Sequence, residues 1–358
     1  MSPNIRNHKA ATTPLSRSPF VVGSMFAAIG GFCRAFEQVG ARVAWANEND
    51  RFAVETFKLN FPHIRCIEKD VQELSVHGDS LEPVDILTAG FPCQPFSVAG
   101  EKLGFEDERG LLFLHIIRII QEFGKNKPKV LLLENVKNLK SHDKGRTFKR
   151  IQYEIQRAGY WFGEKNAQIM HTAFHTDIPQ NRDRIFMVAL SCDVFPSNIF
   201  EFPTPNPEPR VRSVFEFLDL DRKAESWYYF TPKNQYYKPF KKAINEGGKD
   251  AIYQLRRNYV RRNMSGMCFT LMANMGDGGH NQPVIKDRWG IRKLTERECA
   301  RLQGYKDSWL KMPKSLSKSQ LYKQVGNSIT VPLVIKLAQC VISQFEKVQK
   351  VKKKSAVA

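Results

Sequence analysis

The stretch VVGSMFAAIGGFCRAFEQVG, from Val21 to Gly40, decides the fold class. It begins with a short apolar run that is typical of a buried strand, and we predict a strand at 19–26. After a glycine pair, apolar residues recur at i, i+3, i+4 and i+7, the spacing of one helical face, at Phe32, Ala35, Phe36 and Val39. Gly40 then marks the end of the helix. The stretch therefore predicts a strand, a glycine turn and a helix that packs on a sheet.

The same alternation of strand and helix patterns continues to about residue 190. We predict further strands at 42–47, 84–89, 129–133 and 184–190. Amphipathic segments that predict helices lie at 51–60, 111–123 and 147–158. Strands that alternate with helices form βαβ units, whose right-handed crossovers place helices on both faces of a parallel sheet. The sequence therefore predicts an α/β fold.

The later part of the chain has a different texture. The proline-rich run FPTPNPEPR, from Phe202 to Arg210, can continue neither a helix nor a central strand. A capping box of Thr295 and Glu298 opens a helix at 295–303, and Pro332 begins a last helix at 332–348. We therefore predict a disordered arm at 1–18 and a main domain in two pieces, 19–190 and 292–345. A smaller inserted domain is predicted at 191–291, and a basic tail at 346–358.

Composition excludes several classes of protein. Hydrophobic residues make up 42% and charged residues 25% of 358 residues, as in ordinary globular proteins, and we expect no apolar segment of membrane-spanning length. The N-terminus lacks the apolar core of a signal peptide. Seven cysteines without a CxxC pair argue against a disulfide framework and a zinc site, and His280 has no second ligand at metal-binding spacing. We expect a cytoplasmic protein that binds neither membrane nor metal.

The net charge points to a polyanionic partner. The chain has 55 Lys and Arg against 36 Asp and Glu, a net charge of +19, so nucleic acid is the leading candidate. Nine basic residues against two acids, interleaved with tyrosines, lie at 233–262, and six basic residues against one acid lie at 137–150. Either run can bind phosphates or simply form a solvated face, as can the basic end from Lys347 to Lys354.

Cys93 is a candidate nucleophile. It lies in GFPCQPFS, from Gly90 to Ser97, directly after a predicted strand, where ligands bind in open α/β sheets. Pro92 and Pro95 stiffen this loop because each restricts the residue before it. A thiol held in this way near basic groups can react as a thiolate, although most cysteines are buried and inert.

A second candidate, Glu134, ends the predicted strand VLLLENV, from Val130 to Val136. Parallel strands end at the same edge of a sheet, so its carboxyl group is expected near Cys93. Partial burial raises the pKa of such a carboxyl group, which can then donate a proton to a reacting group. The alternative is an ordinary capping role.

These residues resemble the cytosine carbon-5 DNA methyltransferases, and eight motifs match this family in order along nearly the whole chain. They are FAAIGGF at Phe26–Phe32, Glu48 in NEND, Asp70 in KDV, GFPCQPFS with GFEDERGLLF at Gly104–Phe113, ENV at Glu134–Val136, QNRDR at Gln180–Arg184, RKLTERECARLQGY at Arg292–Tyr305, and YKQVGNSITVP at Tyr322–Pro332.

The resemblance implies a Rossmann-like, S-adenosylmethionine-dependent methyltransferase fold with 191–291 as a smaller inserted target-recognition domain. In the family's mechanism, a cysteine adds to carbon 6 of a flipped cytosine, and carbon 5 then takes the methyl group. The implied catalytic residues are Cys93, Glu134, Arg182 and Arg184. The implied cofactor-binding residues are Phe26, Ile29, Gly30, Gly31, Glu48, Asn49, Asp70, Pro92, Leu112, Asn327 and Ser328. The implied substrate-binding residues are Gln94, Ser97, Val136 and Gln180.

The glycine loop departs from the family pattern. Ser24 replaces an acid, and Ala28 replaces a glycine, so that FxGxGG has become FxAxGG. Asn49 stands where the family often has a tryptophan. Because alanine has a Cβ and glycine has none, the Ala28 change affects the expected affinity for the cofactor.

The resemblance further implies a biological role. We expect a monomer that methylates a specific site in double-stranded DNA as the modification enzyme of a restriction system. Its cognate endonuclease would act on the same site without binding stably to it. The alternatives are a transfer RNA cytosine-5 methyltransferase and an inactive DNA-binding protein of the same fold. The sequence identifies neither the recognised bases nor the base that removes the carbon 5 proton.

Overall fold

The computed structural model describes residues 20–92, 111–256, 259–276 and 280–355. Their centre is an eight-stranded sheet in the order β3-β2-β1-β4-β5-β8-β6, in which β7 also pairs with β8. The strands are β1 Val21–Met25, β2 Arg42–Glu48, β3 Arg65–Glu68, β4 Ile86–Gly90, β5 Val130–Val136, β6 Tyr160–Trp161, β7 Ala167–His171 and β8 Asp183–Ser191.

All five predicted strands of this sheet are present, and the predicted α/β class is confirmed. The prediction of a parallel sheet is wrong for its far edge: β1 to β5 are parallel, but β8 runs antiparallel to β5, and β6 and β7 run antiparallel to β8. Hydrophobic periodicity reports which residues are buried and not the direction of a strand, so this reversal has no signal in the pattern. The short strands β3, β6 and β7 were not predicted.

Helices cover both faces of the sheet, as predicted. The helices before residue 180 are α1 Gly31–Gln38, α2 Arg51–Asn60, α3 Leu111–Glu122, α4 Arg146–Arg157 and α5 Thr172–His175. Phe36 of α1 and Phe57 of α2 belong to the core on one face, and Ile116 of α3 and Ile151 of α4 to the core on the other. The helix α2 begins at Arg51 because the Asp50 carboxylate accepts a hydrogen bond from the Phe52 amide at 3.0 Å.

The later helices are α6 Tyr237–Gly247, α7 Glu296–Leu302, α8 Lys318–Asn327 and α9 Val331–Ser355. The predicted capping box at α7 is confirmed: the Glu298 amide donates to Thr295 Oγ1, and the Thr295 amide donates to Glu298 Oε2. Helix α9 does not end near residue 348 as predicted but continues to Ser355, because the sequence has no proline or glycine after Pro332.

The stretch Lys318–Val348 corrects one expectation from composition. Its length, and a mean hydropathy of 1.5 over its most apolar 18 residues, match those of a membrane span, although no such segment was expected. In the structure, 61% of its most apolar part is buried inside the protein. Leu337 and Val341 of α9 belong to the same core as Phe36 of α1. The stretch therefore serves as a core element of the α/β domain.

A second, four-stranded antiparallel sheet has the order β10-β9-β11-β12. Its strands are β9 Tyr253–Arg256, β10 Tyr259–Arg262, β11 Pro283–Lys286 and β12 Ile291–Lys293. Phe240 and Ile244 of α6 pack on Tyr253, Leu255 and Val284 to form a separate small core. The boundary predicted at residue 292 falls within β12.

A buried ion-pair network links this small sheet to the main domain. The Arg292 side chain is fully buried and lies 2.8 Å from both Asp287 and Glu298. Because Glu298 also caps α7, the end of β12 and the start of α7 share one carboxylate. Removing one member of such a network leaves a buried charge unpaired, which typically costs about 3–5 kcal/mol.

Candidate active site

The strand order defines where a ligand can bind. From β1 the chain proceeds outward to β2 and β3 on one side, and returns to β4 and β5 on the other side. Open α/β sheets bind ligands at such a point, beyond the carboxyl ends of the strands. The predicted motifs of the N-terminal half follow these strand ends.

The turn after β1 has an unusual backbone. Phe26, Ala28 and Gly30 have φ values of 52°, 48° and 85°, in the left-handed region. Only Gly30 adopts this conformation without steric cost. A Cβ atom on Gly30 would also overlap the Phe61 ring, and one on Gly31 would overlap the Ile329 side chain. The glycine pair is therefore required to pack this turn against the rest of the domain.

Two acidic residues face this turn from the ends of β2 and β3. Glu48 Oε2 accepts a hydrogen bond from the Ala28 amide at 2.7 Å, and Glu48 Oε1 accepts from the Asn49 and Asp50 amides at 2.9 Å each. Burial raises the pKa of Glu48, and these backbone hydrogen bonds oppose the shift. Asn49 Nδ2 donates to Asp70 Oδ2 at 3.1 Å, so Asn49 joins the two acids.

This group fits an adenosine-containing cofactor. Ionised carboxylates only accept hydrogen bonds, and the ribose hydroxyls and the adenine amino group can donate them. Glu48 ends β2, and Asp70 follows the adjacent strand β3 by two residues, both beside the glycine turn. The predicted cofactor residues Phe26, Ile29, Gly30, Gly31, Glu48, Asn49 and Asp70 are thus brought together, with Ile29, Gly30 and Gly31 buried and Asn49 exposed.

Glu134 lies close to the point where the chain leaves β4 and continues toward Cys93. Gly90 of β4 pairs with Glu134 of β5, and a Cβ atom on Gly90 would lie 3.5 Å from Glu134 Oε2. Asn135 Nδ2 donates to the Phe91 carbonyl at 2.9 Å and holds the chain that leads to the exposed Pro92. Asn135 was missed as a functional residue, although its place in the ENV motif was a usable signal.

Cys93 follows immediately but lies outside the described residues, as do Gln94, Ser97 and the segment to Arg109. The predicted arm at 1–18 also lies outside them. Leu112 of α3 is half-buried against the core below the sheet edge, and Val136 is half-buried opposite Arg184.

Glu134 and Arg184 form an ion pair at the sheet edge. Arg184 Nε lies 2.9 Å from Glu134 Oε1, with 18% and 11% of the two side chains exposed. Burial raises the pKa of Glu134, whereas the charges of Arg184 and Arg182 lower it. Burial outweighs these charges, so the net shift of the Glu134 pKa is upward, beside a fixed positive charge.

Arg182 and Gln180 are enclosed and already engaged. The Arg182 guanidinium donates to the Leu271 carbonyl at 2.9 Å, the Gly326 carbonyl at 3.2 Å and the Ser328 carbonyl at 2.5 Å. Gln180 is fully buried, and its Nε2 donates to the Leu302 carbonyl at 2.7 Å. Both side chains are therefore engaged inside the protein, and the catalytic role of Arg182 and the substrate-binding role of Gln180 stay predictions.

The two predicted residues before α9 differ from each other. Asn327 is exposed at the end of α8. Ser328 is buried, and its hydroxyl is hydrogen-bonded to the Tyr305 hydroxyl at 2.7 Å. The Ser328 side chain thus has an internal partner, whereas the Asn327 side chain is open to solvent. Ser24 is also enclosed in β1, where its hydroxyl accepts from Thr88 Oγ1 at 3.0 Å.

Metal ligands are not clustered in the part of the chain that the structure describes: no group of three His, Cys, Asp or Glu residues could hold an ion there. His280 instead lies edge-on to the Tyr236 ring, with the ring centres 6.0 Å apart.

The fold and this site define a methyltransferase of the Rossmann-like α/β class. The structure resembles the Dnmt2 methyltransferase of Schizosaccharomyces pombe, with a TM-score of 0.65 and 19% identity over 90% of this chain and 98% of that one. It also resembles a putative DNA modification methyltransferase of an Escherichia coli prophage, with a TM-score of 0.63 and 19% identity over 91% and 99% of the two chains. At these identities the likeness shows the fold alone.

Sequence comparison identifies the family. Residues 20–343 match the profile described as C-5 cytosine-specific DNA methylase. The chain is 40% identical to the type II methyltransferase M.Bsp6I of Bacillus sp. (strain RFL6), covering 89% of this chain and 97% of that protein. It is 36% identical to M.HhaI of Haemophilus parahaemolyticus, covering 86% and 89%. The chain therefore belongs to the C-5 cytosine-specific DNA methylases and is a DNA cytosine-5 methyltransferase.

Proposed function

We propose that this enzyme methylates cytosine in a specific duplex DNA site, with S-adenosylmethionine as the methyl donor and Cys93 as the nucleophile. The observation that supports this best is the Glu134–Arg184 pair, which lies beside Gly90, three residues before Cys93. An acid and a fixed cation at the entry to a cysteine loop suit addition to a pyrimidine ring.

The cofactor would bind at the turn after β1. Glu48 would accept from the ribose hydroxyls, Asp70 and Asn49 would face the adenine, and Phe26 would lie beside it. When bound, S-adenosylmethionine supplies an electrophilic methyl group on a sulfonium. Pro92, Leu112 and Asn327 complete the proposed binding set at the strand ends.

The Ala28→Gly variant is expected to be more stable than the wild-type enzyme by about 0.5–1 kcal/mol, because glycine adopts the left-handed backbone without the cost of a Cβ. The relaxed turn is also expected to bind S-adenosylmethionine more tightly. Urea denaturation and calorimetric titration measure the two effects. Ser80→Gly, at a φ of 47° in an exposed turn, is the matched control: it should add stability without changing cofactor affinity.

Catalysis on cytosine divides among three side chains. The Cys93 thiolate adds to carbon 6, which moves electron density to carbon 5. Glu134 holds the ring nitrogen N3 and stabilises the negative charge that develops there, and Arg184 neutralises O2. Carbon 5 then takes the methyl group, loses its proton and expels Cys93. Arg182 holds Leu271, Gly326 and Ser328 in place around this site.

Phosphate contacts are proposed for the segment 233–262. Its basic residues Lys233, Lys238, Lys241, Lys242, Lys249, Arg256 and Arg262 are exposed. Of its described residues, none lies within ion-pair distance of a carboxylate, so these charges remain available for DNA. In the run 137–150, by contrast, Lys137, Lys140, Arg146 and Arg150 each pair with an acid, which favours a solvated face there.

Replacing Lys238 and Arg256 together with glutamine is expected to weaken DNA binding and to lower the slope of log K against log salt by about 2, one unit for each lost phosphate contact. Fluorescence anisotropy on a labelled duplex, measured at about 50 to 200 mM salt, gives this slope. Deleting 233–262 is not a clean test, because Phe240, Ile244 and Tyr253 form the small core. The pair Lys125→Gln and Lys165→Gln, exposed elsewhere, should leave the slope unchanged.

The biological assignment is modification within a restriction system, since the curated relatives are named type II methyltransferases. We propose that the enzyme acts as a cytoplasmic monomer and that a cognate endonuclease cuts the same site without binding stably to it. The 191–291 region, with the segment 267–284, is proposed to read the target bases. The distant Dnmt2 neighbours give no support to transfer RNA as the substrate.

Bisulfite sequencing of a plasmid from a host that expresses the gene tests this function. We expect protected cytosines at one position of a recurring sequence. A host genome and plasmid without any new protected site, together with methyl transfer to transfer RNA in vitro, would instead establish the RNA alternative. Absence of both activities would establish the remaining alternative, an inactive DNA-binding protein of the same fold.

A further inference from the structure

A cleft of about 410 Å³ lies between the small sheet, α6 and the chain that precedes them. We call it the lysine cleft because Lys223, Lys241 and Lys286 line it from three separate segments. None of the residues assigned above to catalysis or cofactor binding lines it, and Lys241 alone is shared with the basic residues proposed to contact duplex phosphates. Its volume is within the range of about 300–1,000 Å³ that small ligands occupy.

The lining carries positive charge without compensation. No Asp or Glu belongs to it, and no described carboxylate lies within ion-pair distance of the three lysines. The nearby Asp287 is engaged elsewhere: its buried carboxylate lies 2.8 Å from Arg292 and accepts from the Tyr229 hydroxyl at 2.8 Å. Three ammonium groups so placed favour an anion in the cleft.

A neighbouring cavity shows the contrast. It is larger, about 660 Å³, but Glu225 and Glu296 share its lining with Lys318 and lie 3.2 and 3.8 Å from that lysine. Four acids, Asp219, Glu225, Glu296 and Glu298, offset most of the charge of the six basic residues that line it, one of which, Lys223, also lines the lysine cleft. The lack of acids is a property of the lysine cleft itself.

Aromatic rings supply a second kind of contact in the lysine cleft. Tyr229, Tyr237 and Trp289 line it and are half-buried, so part of each ring remains accessible. Unpaired bases stack on such rings, typically with about 1–3 kcal/mol for each base. Lysines beside accessible rings match the two halves of a nucleotide, its phosphate and its base.

We propose that the lysine cleft binds a nucleotide whose base is unpaired, with the phosphate on Lys223, Lys241 and Lys286 and the base against the rings. A base inside a duplex is stacked on its neighbours and cannot enter. The ligand is therefore a free nucleotide or a nucleotide in a single-stranded extension of DNA, and the site is separate from the one that methylates cytosine.

Thymidine 5′-monophosphate is the probe, titrated calorimetrically into the full-length enzyme saturated with S-adenosylhomocysteine so that the cofactor site is blocked. We expect binding that weakens at least about tenfold in the triple variant Lys223→Gln, Lys241→Gln and Lys286→Gln, because each charged hydrogen bond is typically worth about 1.5–3 kcal/mol. The matched triple variant Lys125→Gln, Lys165→Gln and Lys336→Gln, which removes three exposed lysines elsewhere, should bind like the wild type. Thermal unfolding shows that both variants fold.

Trp289→Ala separates a nucleotide site from a bare phosphate site. We expect it to weaken thymidine monophosphate binding at least about fivefold and leave inorganic phosphate binding unchanged. Tighter binding of a duplex with a single-stranded thymidine extension than of a blunt duplex identifies the DNA strand as the source, and equal binding identifies the free nucleotide. Absence of thymidine monophosphate binding, an equal loss in the matched triple variant, or inorganic phosphate that competes as well as the nucleotide would overturn the proposal.

Discussion

Replacing Cys93 with alanine is expected to reduce methyl transfer at least about 10⁴-fold, because an enzyme without its nucleophile retains only binding and electrostatic stabilisation. Folding and DNA affinity should be unchanged, since the side chain loses one sulfur atom. Tritiated methyl transfer to a plasmid, thermal unfolding and anisotropy on a labelled duplex measure the three quantities. Turnover that persists undiminished in Cys93→Ala would refute the assignment of the nucleophile.

A trapping experiment tests the same nucleophile by detecting its covalent bond to the base. A fluorine at carbon 5 of the target cytosine cannot leave as a proton, so Cys93 cannot be expelled and the adduct should survive denaturation. A denaturing gel should show the protein–DNA adduct for the wild type but not for Cys93→Ala. Cys192→Ala, which changes an exposed cysteine far along the chain, is the matched control and should give the adduct in full.

The second large effect concerns Glu134. The Glu134→Gln variant keeps the shape of the side chain but cannot transfer a proton or balance Arg184, and we expect turnover to fall about 10²–10⁴-fold. Burial raises the pKa of the wild-type carboxyl group, so its acid form persists to higher pH than in solution. Activity that needs this acid form declines as pH rises through the raised pKa, and the Gln variant should lack that decline. Profiles of kcat/KM against pH measure it.

The same raised pKa has a consequence for stability. Because the pKa of Glu134 is higher in the folded than in the unfolded protein, this residue contributes stability that is fully present below the ordinary carboxyl pKa. The contribution is lost as pH rises through the folded-state pKa. Glu154→Gln is the matched control, because Glu154 is also buried and paired with an arginine, Arg150, at 2.5 Å on α4. It should change stability without changing turnover. Equal losses of turnover in the two variants would mean that Glu134 acts only through folding.

The core of the fold was predictable because its signals are local. Apolar runs and the 3.6-residue period located β1, β2, β4, β5 and β8 and the four helices before residue 160. The antiparallel direction of β8 is seen only in its pairing with strands distant in the chain, such as β5, which no local pattern encodes. The four residues of β3 and the two of β6 were also too short to produce a period.

The site was predictable where a motif residue ends a strand. Glu48 ends β2, Asp70 follows β3 and Glu134 lies near the end of β5, and parallel strands bring such residues to one edge. The sequence could not show that Gln180, Arg182 and Ser328 are enclosed, because their partners are main-chain carbonyls and a hydroxyl supplied by distant segments. The left-handed backbone at Ala28 was likewise visible only as a departure from glycine.

Arg182 donates hydrogen bonds to the peptide oxygens of two segments that lie far apart along the chain, one at Leu271 and the other at Gly326 and Ser328. Every amino acid carries that oxygen. These hydrogen bonds therefore do not depend on which side chains the anchored residues carry, although packing still requires glycine at 326, where a Cβ atom would lie 2.3 Å from the Met272 backbone. A protein built in this way can acquire a new target sequence without rebuilding the framework that presents it.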